Sequence, residues 1–445
     1  MPLERNQTTA PTFIHGLKSA DIPEDVMHMA RRCLVDTLAI WASGAATEPS
    51  RIARDHAVRR YSGDVAMPFD GRGVNPVGYA FAGACTIDAI DGHDGHQPSK
   101  GHAGAAVLPA LLAELGQNPD CTLDDMLVHL IVGYETAIRA ALSLHSTVPD
   151  YHSSGAWNAL GCAAIAARLR GLDTEQTRHA LGIAEYFGPR AQMMRCIDHP
   201  TMAKDSSSWG ALAGISAADL AQDGFTGAPA ITCEADEVSE IWADLGTKWR
   251  ILETNFKAYP VCRWAHPPVE GALALARAHA INPDDIEDIL ITTFQQATQL
   301  ATRRPIDGDA AQYSLPLTVA ISLINGTILP EHLLPQNYAR ADVWCLVDTV
   351  RFAVSDAYNA AFPHERFADV AIRLKDGTVL QSYKAVARGN FDAPLLDEEI
   401  LAKLEHYAAP VLQNVARAKI AAVLTDPPKA PAPAELISLL QTTDR

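Results

Sequence analysis

Residues 88–109 read DAIDGHDGHQPSKGHAGAAVLP, and the organisation of the chain follows from how this stretch is punctuated. Three aspartates (Asp88, Asp91, Asp94), three histidines (His93, His96, His102) and Lys100 are spaced by Gly92, Gly95, Gly101 and Gly104. A mostly apolar run, Ala105 to Leu115, follows at once. The pattern predicts a helix over about 80–91, a polar loop, and a second helix from Gly104. Proton-transfer groups on a loop held against rigid helices are a common way to display a reactive site.

Outward from there the pattern stays helical. A helix is expected over 21–44, with Pro23 early, where its missing N–H costs nothing. Another covers 123–144, opened by Asp124 and Asp125 at the positive end of its dipole. A pair follows at 156–169 and 173–187, with Asp173 and Gln176 at capping-box spacing. The helix at 206–222 is small-sided: Gly210, Gly214 and Ala218 recur every four residues and let a neighbour approach closely. Up to about residue 270 nothing reads as a sheet.

The character then changes. Ile286–Phe294 is rich in β-branched residues and reads as a strand, as do Phe367–Arg373 and Val379–Val386. The last two are joined by residues 375–378, where Asp376-Gly377 signals a hairpin. Helices are expected over 315–323 and 341–350. The fold expected is mainly α: a large all-helical domain (1–270) and a smaller α+β lid (271–394). The closing segment (395–445), with a helix over about 397–411, is expected to dock back onto the first domain, leaving a Pro/Ala-rich stretch at 427–433 exposed.

At 445 residues the chain is too long for one ordinary core. Its 48% hydrophobic and 20% charged residues are those of a globular protein. A net charge of −17 argues against nucleic acid or an anionic membrane as partner. An anionic substrate must therefore meet a local cluster of cations. No signal peptide and no run of about 18 apolar residues is read. The eight cysteines are scattered without a CxxC pair, which fits reduced cytoplasmic thiols better than disulfides or a zinc site.

Several residues could carry chemistry. The His/Asp loop could in principle hold a divalent ion. Its spacing matches no standard ligand pattern, so no metal is expected, and capping or mutual pairing is the plainer alternative for each member. His152, in YHSSGAW (151–157), precedes a helix and could polarise an anionic oxygen there. Lys204, in MAKDSSSWG (202–210), sits at a helix N-terminus where a cation is disfavoured. It suits a neutral amine base or a cation committed to a carboxylate, against the alternative of a solvated surface lysine.

In FKAYPVCRWAHP (256–267), Lys257, Arg263 and His266 gather with Tyr259 and Cys262 at the junction of the two domains. Such clefts favour ligands, and two cations suit a di- or tricarboxylate. Cys262 reads as a packed thiol. DAAQYSLP (309–316) could add Gln312 and Tyr313. No GxGxxG, P-loop, GxSxG or HExxH motif is present. Acid/base chemistry on a small polyanion without an organic cofactor is the simplest account.

Seven segments then stand out in order: AIDGHDGH (89–96), GHAGAAVLPAL (101–111), YHSSG (151–155), MAKD (202–205), GFTGAP (224–229), KAYPVCR (257–263) and QYSLP (312–316). In order and spacing they resemble the MmgE/PrpD family, over nearly the whole chain. That family includes 2-methylcitrate dehydratases, cis-aconitate decarboxylases and an iminodisuccinate epimerase. The resemblance implies a helical domain with an α+β lid, a homodimer, and catalysis without metal or organic cofactor. It places Asp91, His102, His152, Lys204 and Lys257 on positions similar to the family's functional acid, histidine and lysine residues.

Two departures qualify it. Where many members have Asp-Asp-Thr-His, this chain adds His93 and His96; where several have a tyrosine after SerLeuPro, it has Leu317. The leading expectation is epimerisation of iminodisuccinate, with proton transfer by Asp91, His96, His102, His152 and Lys204. Lys257, Arg263, His93, Tyr259 and Gln312 would bind substrate. A 2-methylcitrate-type dehydratase, a cis-aconitate-type decarboxylase and a silent polycarboxylate-binding protein are the alternatives.

Overall fold

A computed structural model describes residues 9–116 and 120–441. It is mainly helical, with a smaller α+β part, as the sequence pattern requires. The helices form where expected: Glu24–Gly44, Pro76–Asp88, Gly104–Leu115, Leu123–Thr147, Gly155–Leu169, Thr174–Phe187 and Ser207–Gln222. Asp173 and Gln176 close the capping box on Thr174–Phe187. Among the helices that went unread are Glu48–Arg60, Asn414–Thr425 and His266–His279, the last opening on a His-Pro-Pro run.

The small-sided helix packs as its sequence demands. A Cβ at Gly214 would lie 2.4 Å from the Ala159 carbonyl oxygen, and one at Gly210 would lie 2.7 Å from that of Gly155. Only glycine permits this approach of Ser207–Gln222 to Gly155–Leu169, which sets the depth of everything displayed just before either helix. The helix Leu123–Thr147 is long and apolar enough to cross a bilayer, and 89% of its most apolar window is buried inside the protein.

Two hydrophobic cores result. One is built from helices between residues 10 and 256 together with residues 395–440. The other gathers residues 196–372 around a four-stranded sheet. The strand order is Val350–Val354, Ile286–Thr293, Ala368–Leu374, Val379–Ala385; the first pair is parallel and the others antiparallel. Gly377 turns the expected hairpin at φ 90°. Strand Val350–Val354 continues directly from a helix, Ala341–Thr349; the sequence reading takes Val350 as the end of that helix and assigns no strand to 351–354.

Two other details differ from the reading, while the closing segment docks as expected. Short ribbons do occur before residue 270, pairing Val65–Ala66 with Gly73–Val74 and Gly95–His96 with Thr254–Asn255. The Pro/Ala-rich stretch leads into a further helix, Pro433–Gln441, whose Leu436 and Leu440 are fully buried. The helix Asp397–Ala408 lies against Glu24–Gly44, where Lys403 meets Asp36 at 2.6 Å.

Candidate active site

The reactive loop hangs from the C-terminal end of helix Pro76–Asp88. That end leaves carbonyls without intrahelical partners. The Ala89 carbonyl accepts from Lys204 Nζ at 2.9 Å and from Gln312 Nε2 at 3.2 Å. Lys204 Nζ therefore lies at the negative end of a neighbouring helix, the end that favours a cation, although the residue precedes its own helix by sequence. Its ammonium is also ion-paired with Asp309 at 2.8 Å. The N-terminus of helix Ser207–Gln222 is met instead by Asp88, whose Oδ2 accepts from Ser207 N at 3.1 Å.

Asp91 follows. Its backbone N–H donates to Gln312 Oε1 at 2.6 Å, and its carboxylate is ion-paired with Lys257. Both side chains are buried. The Lys257 ammonium holds the Asp91 carboxyl below its usual range, even though burial pushes the other way. His102 keeps partial exposure. Its Nδ1 donates to the Asp94 carbonyl, and its backbone is fixed by Ser154 Oγ at 3.0 Å and Asn158 Nδ2 at 2.9 Å. That bond fixes the tautomer and leaves Nε2 as a bare lone pair. Burial, then Lys257, keep the ring's pKa below 6.5, so it is a neutral base at pH 7.

Around one cavity at the meeting of the two cores stand Asp91, His102, Lys257, Arg263, Tyr151 and Tyr313. Lys100, Asp205 and Arg366 complete its charged lining. The cavity holds about 90 Å³ inside and is open to solvent at its mouth. Such a wall, a neutral imidazole beside a lysine-paired carboxylate, can take a proton from carbon or return one while fixed charge stabilises the anion formed.

The other expected residues take different places. His96 lines the cavity, yet both ring nitrogens are engaged: Nε2 with Glu253 at 3.0 Å, Nδ1 accepting from Ser99 N at 3.1 Å. A ring so tied is a structural pin between the loop and residue 253. His93 is fully buried and lies against His102, ring centroids 4.1 Å apart, with Asp88 3.6 Å away. His152 is not among the cavity's lining; its Nδ1 donates to the Asp150 carbonyl at 3.2 Å. Tyr259 turns away, its hydroxyl donating to Glu270 at 3.0 Å. Gln312 works as a strut under Asp91 and Lys204. Leu317 is fully buried in the second core.

Ligand atoms of Asp91, His93, His102 and Asp205 all lie within 4.8 Å of one another, a donor set a divalent ion could use. Lys257 already occupies the Asp91 carboxylate. Sequence reading missed Asp205, Asp309, Arg366 and Lys403, because the place of each at the site is set by packing between segments distant in the chain. Lys403 donates to Asp36, to the Gly92 carbonyl at 2.6 Å and to the Lys257 carbonyl at 3.1 Å. It thereby ties both reactive segments to the helix Asp397–Ala408.

A mainly helical body and a smaller α+β part meet at one cavity lined by carboxylates, imidazoles and cations. The particular family is decided by comparison. Residues 9–242 match the MmgE/PrpD N-terminal domain and residues 259–426 the MmgE/PrpD C-terminal domain, so the chain belongs to the MmgE/PrpD family. Among curated relatives, it is 23% identical to the cis-aconitate decarboxylase-like protein oryM of Aspergillus oryzae, covering 90% of each chain. It is 24% identical to human cis-aconitate decarboxylase, covering 96% of this chain and 95% of that one. The mouse cis-aconitate decarboxylase is also 24% identical, over 90% of this chain and 86% of its own.

Proposed function

We propose that the protein is an acid/base enzyme that moves a carbon-bound proton next to a carboxylate of a small polycarboxylate, without an organic cofactor. The observation that carries this is the singly oriented, neutral His102 standing beside the Asp91–Lys257 pair on one wall of the cavity. Removing a proton α to a carboxylate builds charge on that carboxylate, and a fixed ammonium nearby lowers the cost. His102 Nε2 is the group we assign to the proton.

Within this class we favour epimerisation of an amino dicarboxylate such as iminodisuccinate. Its support is in the sequence, where the chain departs from its family in the added His93 and His96 and in Leu317 in place of a tyrosine. The second reading, a lyase that decarboxylates or dehydrates, draws support from the names of the relatives, all cis-aconitate decarboxylases or like them. NMR of the products from iminodisuccinate, cis-aconitate and 2-methylcitrate separates them. Loss of optical purity without an alkene supports the epimerase, a new alkene the dehydratase, and carbon dioxide release the decarboxylase. Turnover of none of these, nor of any other di- or tricarboxylate, sinks the class.

We further infer a cytoplasmic homodimer. The free thiols of all eight cysteines suit a reducing compartment. An exposed apolar groove between Phe187, Trp209 and Leu220 supports burial against a second copy. A one-chain mass by light scattering at micromolar concentration contradicts the dimer.

A further inference from the structure

The cations expected to grip substrate are mostly engaged. Lys204 is paired with Asp309, and Lys257 with Asp91. Arg263 Nη2 donates to Asn390 Oδ1. Two cations on the cavity are different. Arg366 makes no hydrogen bond and no ion pair with any described residue, and its Nε is buried without a partner. Lys100 likewise has no carboxylate among the described residues; its Nζ lies 3.9 Å from the centre of the Tyr151 ring.

These two charges are held where they are by structure. Lys100 sits in the left-handed region at φ 60°, an uncommon conformation for a side-chain-bearing residue. Arg366 follows a loop anchored on aromatic rings: Phe362 stacks on Phe294 at 4.7 Å and meets Trp264 edge-on at 5.8 Å. Gln97 Nε2 donates to the His364 carbonyl, joining this loop to the one that carries Lys100. Arg366 is close enough to disfavour the charged forms of both Lys100 and Arg263, after burial itself. A desolvated, uncompensated guanidinium is costly unless an anion completes it.

We propose that Arg366 and Lys100 form an anion subsite for the substrate carboxylate remote from the reacting carbon, with Arg366 supplying the bidentate grip. This rests on the reading of the substrate as a polycarboxylate. It divides the cavity in two: a reactive wall of Asp91, His102 and Lys257, and a recognition wall of Lys100 and Arg366 reached across the domain junction. The subsite then selects polycarboxylates over monocarboxylates, because a ligand lacking the second carboxylate leaves both cations unpaired.

The test uses tricarballylate, an unreactive tricarboxylate, with calorimetric binding to the full chain and to R366Q, R366K and K100Q. Unchanged circular dichroism controls for folding. R366Q should weaken binding about thirty-fold, K100Q less, and R366K should recover part of the loss. Propionate should bind weakly to all four alike. Wild-type binding with R366Q and K100Q both within two-fold of it overturns the subsite and leaves the polycarboxylate reading standing. No binding of tricarballylate by the wild type, with no turnover of any polycarboxylate, overturns both.

Discussion

Replacing Lys403 by methionine tests whether the reactive segments are held from behind. The Nζ group makes three bonds: to Asp36 Oδ1 at 2.6 Å, the Gly92 carbonyl at 2.6 Å and the Lys257 carbonyl at 3.1 Å. Asp36 is fully buried, and its Oδ2 has no partner, so K403M strips the carboxylate of its one hydrogen bond among the described residues. Breaking a buried pair from one side costs about 3–5 kcal/mol. Burial already raises the Asp36 pKa, so the carboxyl can take up a proton and keep the loss near the lower figure. The expected loss is about 3 kcal/mol by urea unfolding, with turnover down about ten-fold as the Gly92 and Lys257 carbonyls lose their anchor. D36N/K403M should recover about 2 kcal/mol relative to simple addition. A K403M loss under about 1 kcal/mol, or strict additivity, refutes the reasoning.

Other expectations follow from the same geometry. H102N should lower kcat by about 10²–10⁴-fold while leaving tricarballylate binding intact, since it removes the proton carrier and not an anion contact. In the wild type, activity should persist below the ordinary histidine pKa of 6.5 before it falls, because the neutral base survives to lower pH. Asp94 is raised to about 7 by burial, so between pH 5 and 7 the folded chain keeps a proton that the unfolded chain releases. Wild-type stability should therefore fall relative to D94N as pH rises through that window, by about 2–3 kcal/mol; a pH-independent difference contradicts the assignment. Exhaustive chelation should leave turnover unchanged; a loss restored by one equivalent of a divalent ion would instead assign the Asp91, His93, His102 and Asp205 cluster to a metal.

Much of the fold was legible because its signals are local. The punctuation of residues 88–109 located two helices, the Asp173/Gln176 spacing located a helix start, and Asp376-Gly377 located a hairpin. Strand Val350–Val354 was not, because its stability comes from parallel pairing with a strand some sixty residues earlier. The site divides along the same line. Asp91, His102 and Lys257 could be singled out by residue type and position. Their partners could not: Asp309 for Lys204, Asp36 for Lys403 and Glu253 for His96 are chosen by packing across hundreds of residues or between cores. That is why His96 looked reactive in sequence and is a pin in the fold. It is also why Arg366, isolated in an unremarkable HERF segment, was passed over.

His102 is assigned to carry a carbon-bound proton beside a carboxylate held by the Asp91–Lys257 wall. The most direct measurement is deuterium incorporation at the α-carbon of iminodisuccinate or another accepted polycarboxylate in D2O, followed by NMR. Wild type should incorporate deuterium, K257M should be strongly slowed, and H102N should abolish exchange while still binding ligand. Exchange in H102N at the wild-type rate contradicts the account.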